Sequence, residues 1–309
     1  MTEATARDPG SGIVLVDASP YVFRAYYSIS PSMLGPRGDP VNGVFGFSRF
    51  LVKLLTDEKP SHIAVAFDES LNTSFRNEIY PAYKAQRELP GQDLERQFGL
   101  CKELCEALGV HPLADDRYEA DDIVGTLCYR FRSAGLPITV VTADKDLAQL
   151  VNEGVDFYDF GKGQRMGPEG IREAYGVGPE QIVDYFALAG DTVDNIPGVK
   201  GIGKKTAQGL LGQFGSLDAV YERIEEVSGC GLRGARSIQK KLVDGRDAAL
   251  LSRELARISF DAPVSETLES LVYQGGDRIH LDSLALRLGF KSLAGKVPLA
   301  DPVDSRPLS

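Results

Sequence analysis

The chain has 309 residues, 43% hydrophobic and 25% charged, which supplies core enough for one large or two modest domains and excludes a disordered chain. Its formal charge is −10, no stretch reaches the ~18 apolar residues of a membrane helix, and the polar first eleven residues do not read as an export signal, so a cytoplasmic protein is expected. Four irregularly spaced cysteines and three scattered histidines exclude a disulfide framework and a zinc-ligand pattern; Cys101 and Cys105 share a helix face, as packing residues do.

Residues 13–16, 63–67 and 138–142 are short runs of Val, Ile, Ala and Phe that read as strands buried on both faces, and each finishes at or just before an aspartate: Asp17, Asp68 and Asp144. Between the first two, residues 43–56 place apolar side chains at helical spacing and fit a right-handed crossover, which makes the strands parallel. Ligands of open parallel sheets sit beyond the carboxyl ends of the strands. Three aspartates delivered to that rim repel one another unless cations lie between them. A single such residue can simply begin a polar loop; three together point to a cation site.

After Asp68, breaks at Pro81, Pro90 and Gly91 give an irregular excursion over the rim, followed by a helix from about residue 93 to 108. In the stretch YEADDIVGTLCYRF, the apolar face of Ile123, Val124, Leu127, Cys128 and Phe131 places Glu119, Asp121 and Asp122 at the start of a helix. Capping accounts for one acid there and not for three. The next strand leads to TADKD, where Asp146 follows Asp144 by two positions, and Asp191 and Asp194 repeat the pattern at a helix break in GDTVDN. Beyond about residue 179 the periodicity stays helical, interrupted at Gly190, Pro197, Gly215 and Gly229.

These nine carboxylates, with no interleaved His or Cys, suit Mg²⁺ or Mn²⁺, at two or three sites. Two ions in one carboxylate cluster are the arrangement used for in-line hydrolysis of phosphodiesters. A calcium-buffering loop is not present. The segment IPGVKGIGKKTAQGLL then places Gly198, Gly201 and Gly203 among Lys200, Lys204 and Lys205 without an acid, between helical stretches. Glycines let backbone amides approach phosphate, and the next helix start adds positive charge. This is similar to a helix-hairpin-helix nucleic-acid motif, although an ordinary interhelical loop fits the same residues. Arg233, Arg236, Lys240, Lys241 and Arg246 extend a phosphate track or form a solvated helix face.

Taken in order, LVDASPYVFRAYY, VAFD, FRNEIYPAYKAQR, YEADDIVGTL, TADKDLAQL and GDTVDNIPGVKGIGKKTA resemble the 5′-3′ exonuclease and flap endonuclease family, over roughly residues 13–293. The resemblance implies an α/β fold with a mostly parallel, PIN-like sheet over 12–180, a helical arch at about 72–96, a helix-rich region with a helix-hairpin-helix over 181–295, and flexible tails at 1–11 and 296–309. It implies that Asp17, Asp68, Glu119 and Asp121 serve a first metal, that Asp144, Asp146 and Asp191 serve a second, and that Asp122 and Asp194 act through water or a further ion. Lys84 and Arg87 match catalytic basic residues of the arch, Tyr83 an aromatic that stacks on a base, and Arg24 and Arg76 further phosphate contacts. A K⁺ ion at the hairpin is also implied.

The implied substrates are DNA with a 5′ flap, overhang or nick whose single-stranded arm passes through the arch. The implied setting is primer removal, replication and repair by a monomer working with a DNA polymerase in trans. Two residues depart from the family pattern: Val193 stands where Ser is usual and Lys204 where Glu is common, and neither is expected to abolish activity. No polymerase follows Ser309, so either a stand-alone nuclease or part of a longer chain is expected. Setting the nine site carboxylates aside takes the charge from −10 to −1, so DNA binding rests on local basic surface and bound metal. A catalytically idle DNA-junction binding protein and a metal-dependent RNase with a related core are the competing readings.

Overall fold

Alternation along the first strand, β1 (Ile13–Asp17), builds two cores at once: Ile13 and Leu15 enter one and Val14 and Val16 the other, all buried. The computed structural model describes residues 12–69, 73–87, 91–291, 293 and 295–300. The tail expected at 1–11, residues 301–309 of the second tail, and residues 72 and 88–90 of the expected arch lie outside the described residues.

Six strands form one sheet in the order β3-β2-β1-β4-β5-β6, where β2 is His62–Asp68, β3 His111–Asp115, β4 Ile138–Val141, β5 Val155–Asp159 and β6 Gln164–Met166. All neighbours are parallel except β5 and β6. The order reverses direction between β1 and β4, a switch point at which loops from adjacent strands part and leave a crevice.

The first crossover holds two helices rather than the expected one: α1 (Ser19–Ser28), with a proline in its first turn, and α2 (Asn42–Glu58). These two helices and α4 (Gln92–Ala107) cover one face of the sheet. The short α3 (Phe75–Ile79) lies in the excursion before α4. Cys101 and Cys105 are fully buried in α4, as packing residues. On the other face α5 (Ala120–Phe131) packs across β1, β2 and β3.

The remaining helices are α6 (Pro168–Tyr175), α7 (Ile182–Ala189), α8 (Lys204–Phe214), α9 (Leu217–Glu222), α10 (Ala235–Asp244), α11 (Arg246–Ala256) and α12 (Arg278–Leu288). Most of them extend the core on the α5 side, whereas α12 returns to pack on α4. Residues 296–300 are not a loose tail: Val297 is buried, and Gly276 exchanges backbone hydrogen bonds with Pro298 and Ala300. No described helix is long and apolar enough to cross a membrane.

The turn between α7 and α8 folds back on itself. Asp191 and Ile196 exchange backbone hydrogen bonds at 2.9 and 2.7 Å, and Gly190 and Gly198 adopt φ of 71° and 60°. A Cβ on Gly198 would lie 2.3 Å from the Gly190 nitrogen, so side chain and backbone conformation are both barred there. Gly198→Ala is therefore expected to cost about 2 kcal/mol or more. A thermal midpoint within a degree of wild type would contradict this packing.

Candidate active site

Carboxylates reach the carboxyl edge of the sheet from separate elements beside the switch point. Asp17 ends β1 at 2% exposure, Asp68 ends β2, and Glu119 precedes α5 with Asp121 in its first turn. Asp144 lies three residues beyond β4 and caps the 3-10 helix Lys145–Leu150 by accepting from the Asp146 N–H at 3.0 Å. Thr142 Oγ1 donates to Asp17 Oδ2 at 2.8 Å, and the Ala120 N–H donates to Asp68 Oδ1 at 2.8 Å, which pins α5 to β2.

Burial pushes Asp17 well above the usual carboxylate range, and Asp68 and Asp144 push it further. Asp121 is raised by burial and then by Asp144 and Asp17. Asp17 thus lies within electrostatic reach of Asp68 and Asp144, and Asp121 within reach of Asp144, Asp17 and Asp68.

A second group lies alongside. Carboxylate oxygens of Asp146, Asp191 and Asp194 fall within 4.8 Å of one another. Asp146 Oδ1 is buried and accepts no hydrogen bond. Such an oxygen, among hard oxygen donors alone, fits a divalent cation of the magnesium or manganese type. Burial and then Asp144 raise Asp146, and burial also raises Asp194 against the pull of Lys84 and Arg87. Asp144 thus couples electrostatically to both groups.

Lys84, Arg87 and Lys145 border the acids. Lys84 Nζ donates to Glu119 Oε1 at 2.8 Å and stands 3.8 Å from Asp194, and Arg87 Nη2 donates to Asp194 Oδ1 at 2.5 Å. Lys145, which the sequence reading did not single out, donates to Asp191 Oδ2 at 2.7 Å and lies 3.4 Å from Asp146 Oδ1. Its position between Asp144 and Asp146 was the available signal. The segment carrying Lys84 rests on the loop after α7, where Gln86 donates to the Thr192 and Val193 carbonyls. The Val193 backbone N–H donates to Asp191 Oδ1 at 3.1 Å.

Three sequence assignments need correction. Arg76 is no surface phosphate contact: at 2% exposure it forms a bidentate pair with Asp122, both bonds at 2.8 Å, and also donates to Glu119 at 3.1 Å. Asp122 is fully buried and has its oxygens taken by Arg76 and the backbone N–H groups of Glu119 and Ser259, so it organises the helix start and does not face the crevice. Tyr83, 3% exposed, donates its hydroxyl to Glu119 Oε2 at 3.0 Å and presents no ring for a base. Burial works against ionised Glu119, but Lys84, Arg76 and these hydrogen bonds together hold it below its ordinary range.

The glycine-lysine turn continues the loop that bears Asp191 and Asp194. Gly201 and Gly203 are exposed, as are Lys200, Lys204 and Lys205, and Gly203 precedes α8 without a side-chain cap. That leaves helix-start amides available to an anion. Lys241 is committed, its Nζ donating to the Gly201 carbonyl at 3.0 Å, while Arg233 and Arg236 are exposed at the start of α10. Arg24 is exposed on α1 with its guanidinium against Gly161.

Residues 12–176, more than half of the chain, match the family described as 5′-3′ exonuclease, N-terminal resolvase-like domain, and residues 177–279 match its C-terminal SAM fold. The chain belongs to the 5′-3′ exonuclease family.

It is 40% identical over 301 residues to DNA polymerase I of Bacillus caldotenax, covering 96% of this chain and 33% of that protein. Over 285 residues it is 39% identical to DNA polymerase I of Bacillus subtilis, covering 91% and 32%. The chain therefore spans about a third of the length of these relatives. Its fold is shared with T5 5′-exonuclease, solved with bound zinc (TM-score 0.64, 22% identity, 79% of this chain and 89% of that one). The catalytic core of Rad2 in complex with DNA substrate is also similar (TM-score 0.60, 17% identity, 91% and 88%).

The raised acids carry a pH consequence. A carboxylate whose folded pKa lies above its unfolded value binds more protons in the native state, so stability falls as pH rises from about 4 upward. A divalent cation relieves that loss by binding the ionised form. Millimolar Mn²⁺ is thus expected to raise the thermal midpoint more at about pH 8 than at about pH 5. Equal gains at the two pH values would show that the acids do not share a cation.

Proposed function

We propose that the chain is a divalent-metal-dependent, structure-specific 5′ nuclease that hydrolyses DNA phosphodiesters as a 5′-3′ exonuclease and 5′-flap endonuclease. The observation that carries this reading is continuity: the loop that supplies Asp191 and Asp194 runs on into the glycine-lysine turn, so the acidic group and the phosphate-binding turn are one piece of backbone. Family membership supports hydrolytic nuclease chemistry. The similar structures of a T5 flap endonuclease with DNA and metal ions and of Rad2 with a DNA substrate support DNA as the ligand.

Asp17, Asp68, Asp121 and Asp144 would hold one Mg²⁺ or Mn²⁺, and Asp146, Asp191 and Asp194 a second, with Asp144 beside both; this departs from the partition the resemblance implies, because Glu119 spends its carboxylate on Arg76, Tyr83 and Lys84, Asp194 lies with Asp146 and Asp191, and Asp144 acts on Asp17 and Asp121 as well as on Asp146. Such ions, when bound, would lower the pKa of a water and offset the charge that develops on the leaving oxygen. The chain's own residues do the rest. Lys84, Arg87 and Lys145 neutralise acids while no substrate is bound, and the first two are free to turn toward a phosphate when cations take over that task. Exposed Lys200, Lys204 and Lys205 hold the duplex backbone, which carries charge but little sequence information. Intact carboxylates argue against an idle binding protein.

A labelled 5′-flap duplex incubated with Mg²⁺ should be cut near the junction, and EDTA should stop the cutting. No metal-dependent cleavage would sink the enzyme reading, and equal cleavage of single-stranded RNA would favour an RNase. Asp121→Asn should lower turnover by more than about 100-fold, since even outer partners of metal sites are worth 10–100-fold, while flap binding is retained. Undiminished turnover would remove Asp121 from the site.

A further inference from the structure

The last two residues of α11 and the three that follow it are held one by one by side chains from α3, from the 3-10 helix Lys145–Leu150 and from the first turn of α5. The Leu255 and Arg257 carbonyls accept from Arg76 Nε and Nη2 at 2.9 and 2.8 Å. The Ala256 carbonyl accepts from Gln149 Nε2 at 3.0 Å, and the Ile258 N–H donates to Gln149 Oε1 at 3.1 Å. The Ser259 N–H donates to Asp122 Oδ1 at 2.8 Å. Gln149 Nε2 also reaches the Asp146 carbonyl at 2.9 Å, whereas Arg76 and Asp122 pair at the head of α5. One irregular segment is thereby fastened to both carboxylate groups.

The body of α11 is fastened to the other functional feature. Ser252, fully buried and about one helical turn before Leu255, accepts at Oγ from the Gly198 N–H at 2.9 Å, inside the glycine-lysine turn. An α-helix is stiff over one turn, and α11 packs along α7, so the separation of these two attachments is fixed.

We propose that α11 and its exit segment are a strut that sets the spacing between the phosphate-binding turn and the two carboxylate groups, and so selects which phosphodiester is cut. This rests on the nuclease reading above. Gln149 and Ser252 are positioning residues: neither is among the acids, nor among the residues expected to meet DNA. Irregular backbone needs hydrogen-bond partners wherever it is buried, and here they are Gln149, on the 3-10 helix that carries Asp146, Asp122 in the first turn of α5, and Arg76, which pairs with Asp122.

The test uses wild type, Gln149→Met and Ser252→Ala, which remove hydrogen bonds and leave the apolar core intact. Products from a labelled 5′-flap duplex with Mn²⁺ are resolved to single nucleotides, and the dissociation constant for the same duplex is measured in Ca²⁺. Each variant is expected to raise the product displaced by one nucleotide at least about fivefold, as the loss of even one buried hydrogen bond allows, with duplex affinity within twofold of wild type. A product pattern identical to wild type, whatever the rate, overturns the strut. If wild type itself cuts no flap, the underlying nuclease reading fails instead.

Hydrogen–deuterium exchange of residues 190–203 decides the matter where a variant is inactive. Gln149→Met, at the far end of the strut, should speed exchange in that turn several-fold. Exchange equal to wild type overturns the proposal.

Discussion

Mutual repulsion among buried acids at one edge of the sheet is the constraint around which this structure is arranged. Asp17, Asp121 and Asp146 are each raised by burial and then by neighbouring carboxylates, and Asp144 contributes to all three. Native structure tolerates such crowding where cations sit close by. The chain offers two kinds. Arg76 is a permanent one, buried, bidentate to Asp122 and fixed to backbone carbonyls of the α11 exit. Lys84, Arg87 and Lys145 are less enclosed and reach the acids from the crevice side, so they can yield to metal and phosphate.

The same constraint reconciles an acidic protein with a polyanionic ligand. Negative charge is concentrated where divalent ions would neutralise it, while Lys200, Lys204 and Lys205 lie together on an exposed turn without an acid among them. Association would be governed by this local field rather than by net charge. The loop with Asp191 and Asp194 is continuous with the turn, Ser252 of α11 accepts from Gly198 in that turn, and Ser259 just beyond α11 is held by Asp122, so the turn and the acid-bearing elements are tied together.

Much of this was legible in the sequence, for definite reasons. β1, β2 and β4 are continuous apolar runs because they are buried on both faces, and the glycine-lysine turn is visible because positive φ and close backbone approach demand glycine. Edge strand β3 escaped notice: HPLAD is partly exposed and contains Pro112, so it carries no apolar run. Arg76, Tyr83 and Asp122 were misplaced for a different reason. A motif gives residue type and order, but whether an arginine meets phosphate or a buried aspartate depends on what packs over it, here residues 255–259 from more than a hundred positions away. Gln149 and Ser252 left no signal at all, since their roles consist of hydrogen bonds to distant backbone.

The most direct test of a two-ion centre between these acids is a crystal grown with Mn²⁺ and measured at the manganese absorption edge. Two anomalous peaks are expected at the carboxyl edge of the sheet, one among Asp17, Asp68, Asp121 and Asp144 and one among Asp146, Asp191 and Asp194, with Lys145 displaced from Asp191. No peak at that edge, with Lys84, Arg87 and Lys145 still paired to the acids, would contradict a two-ion centre.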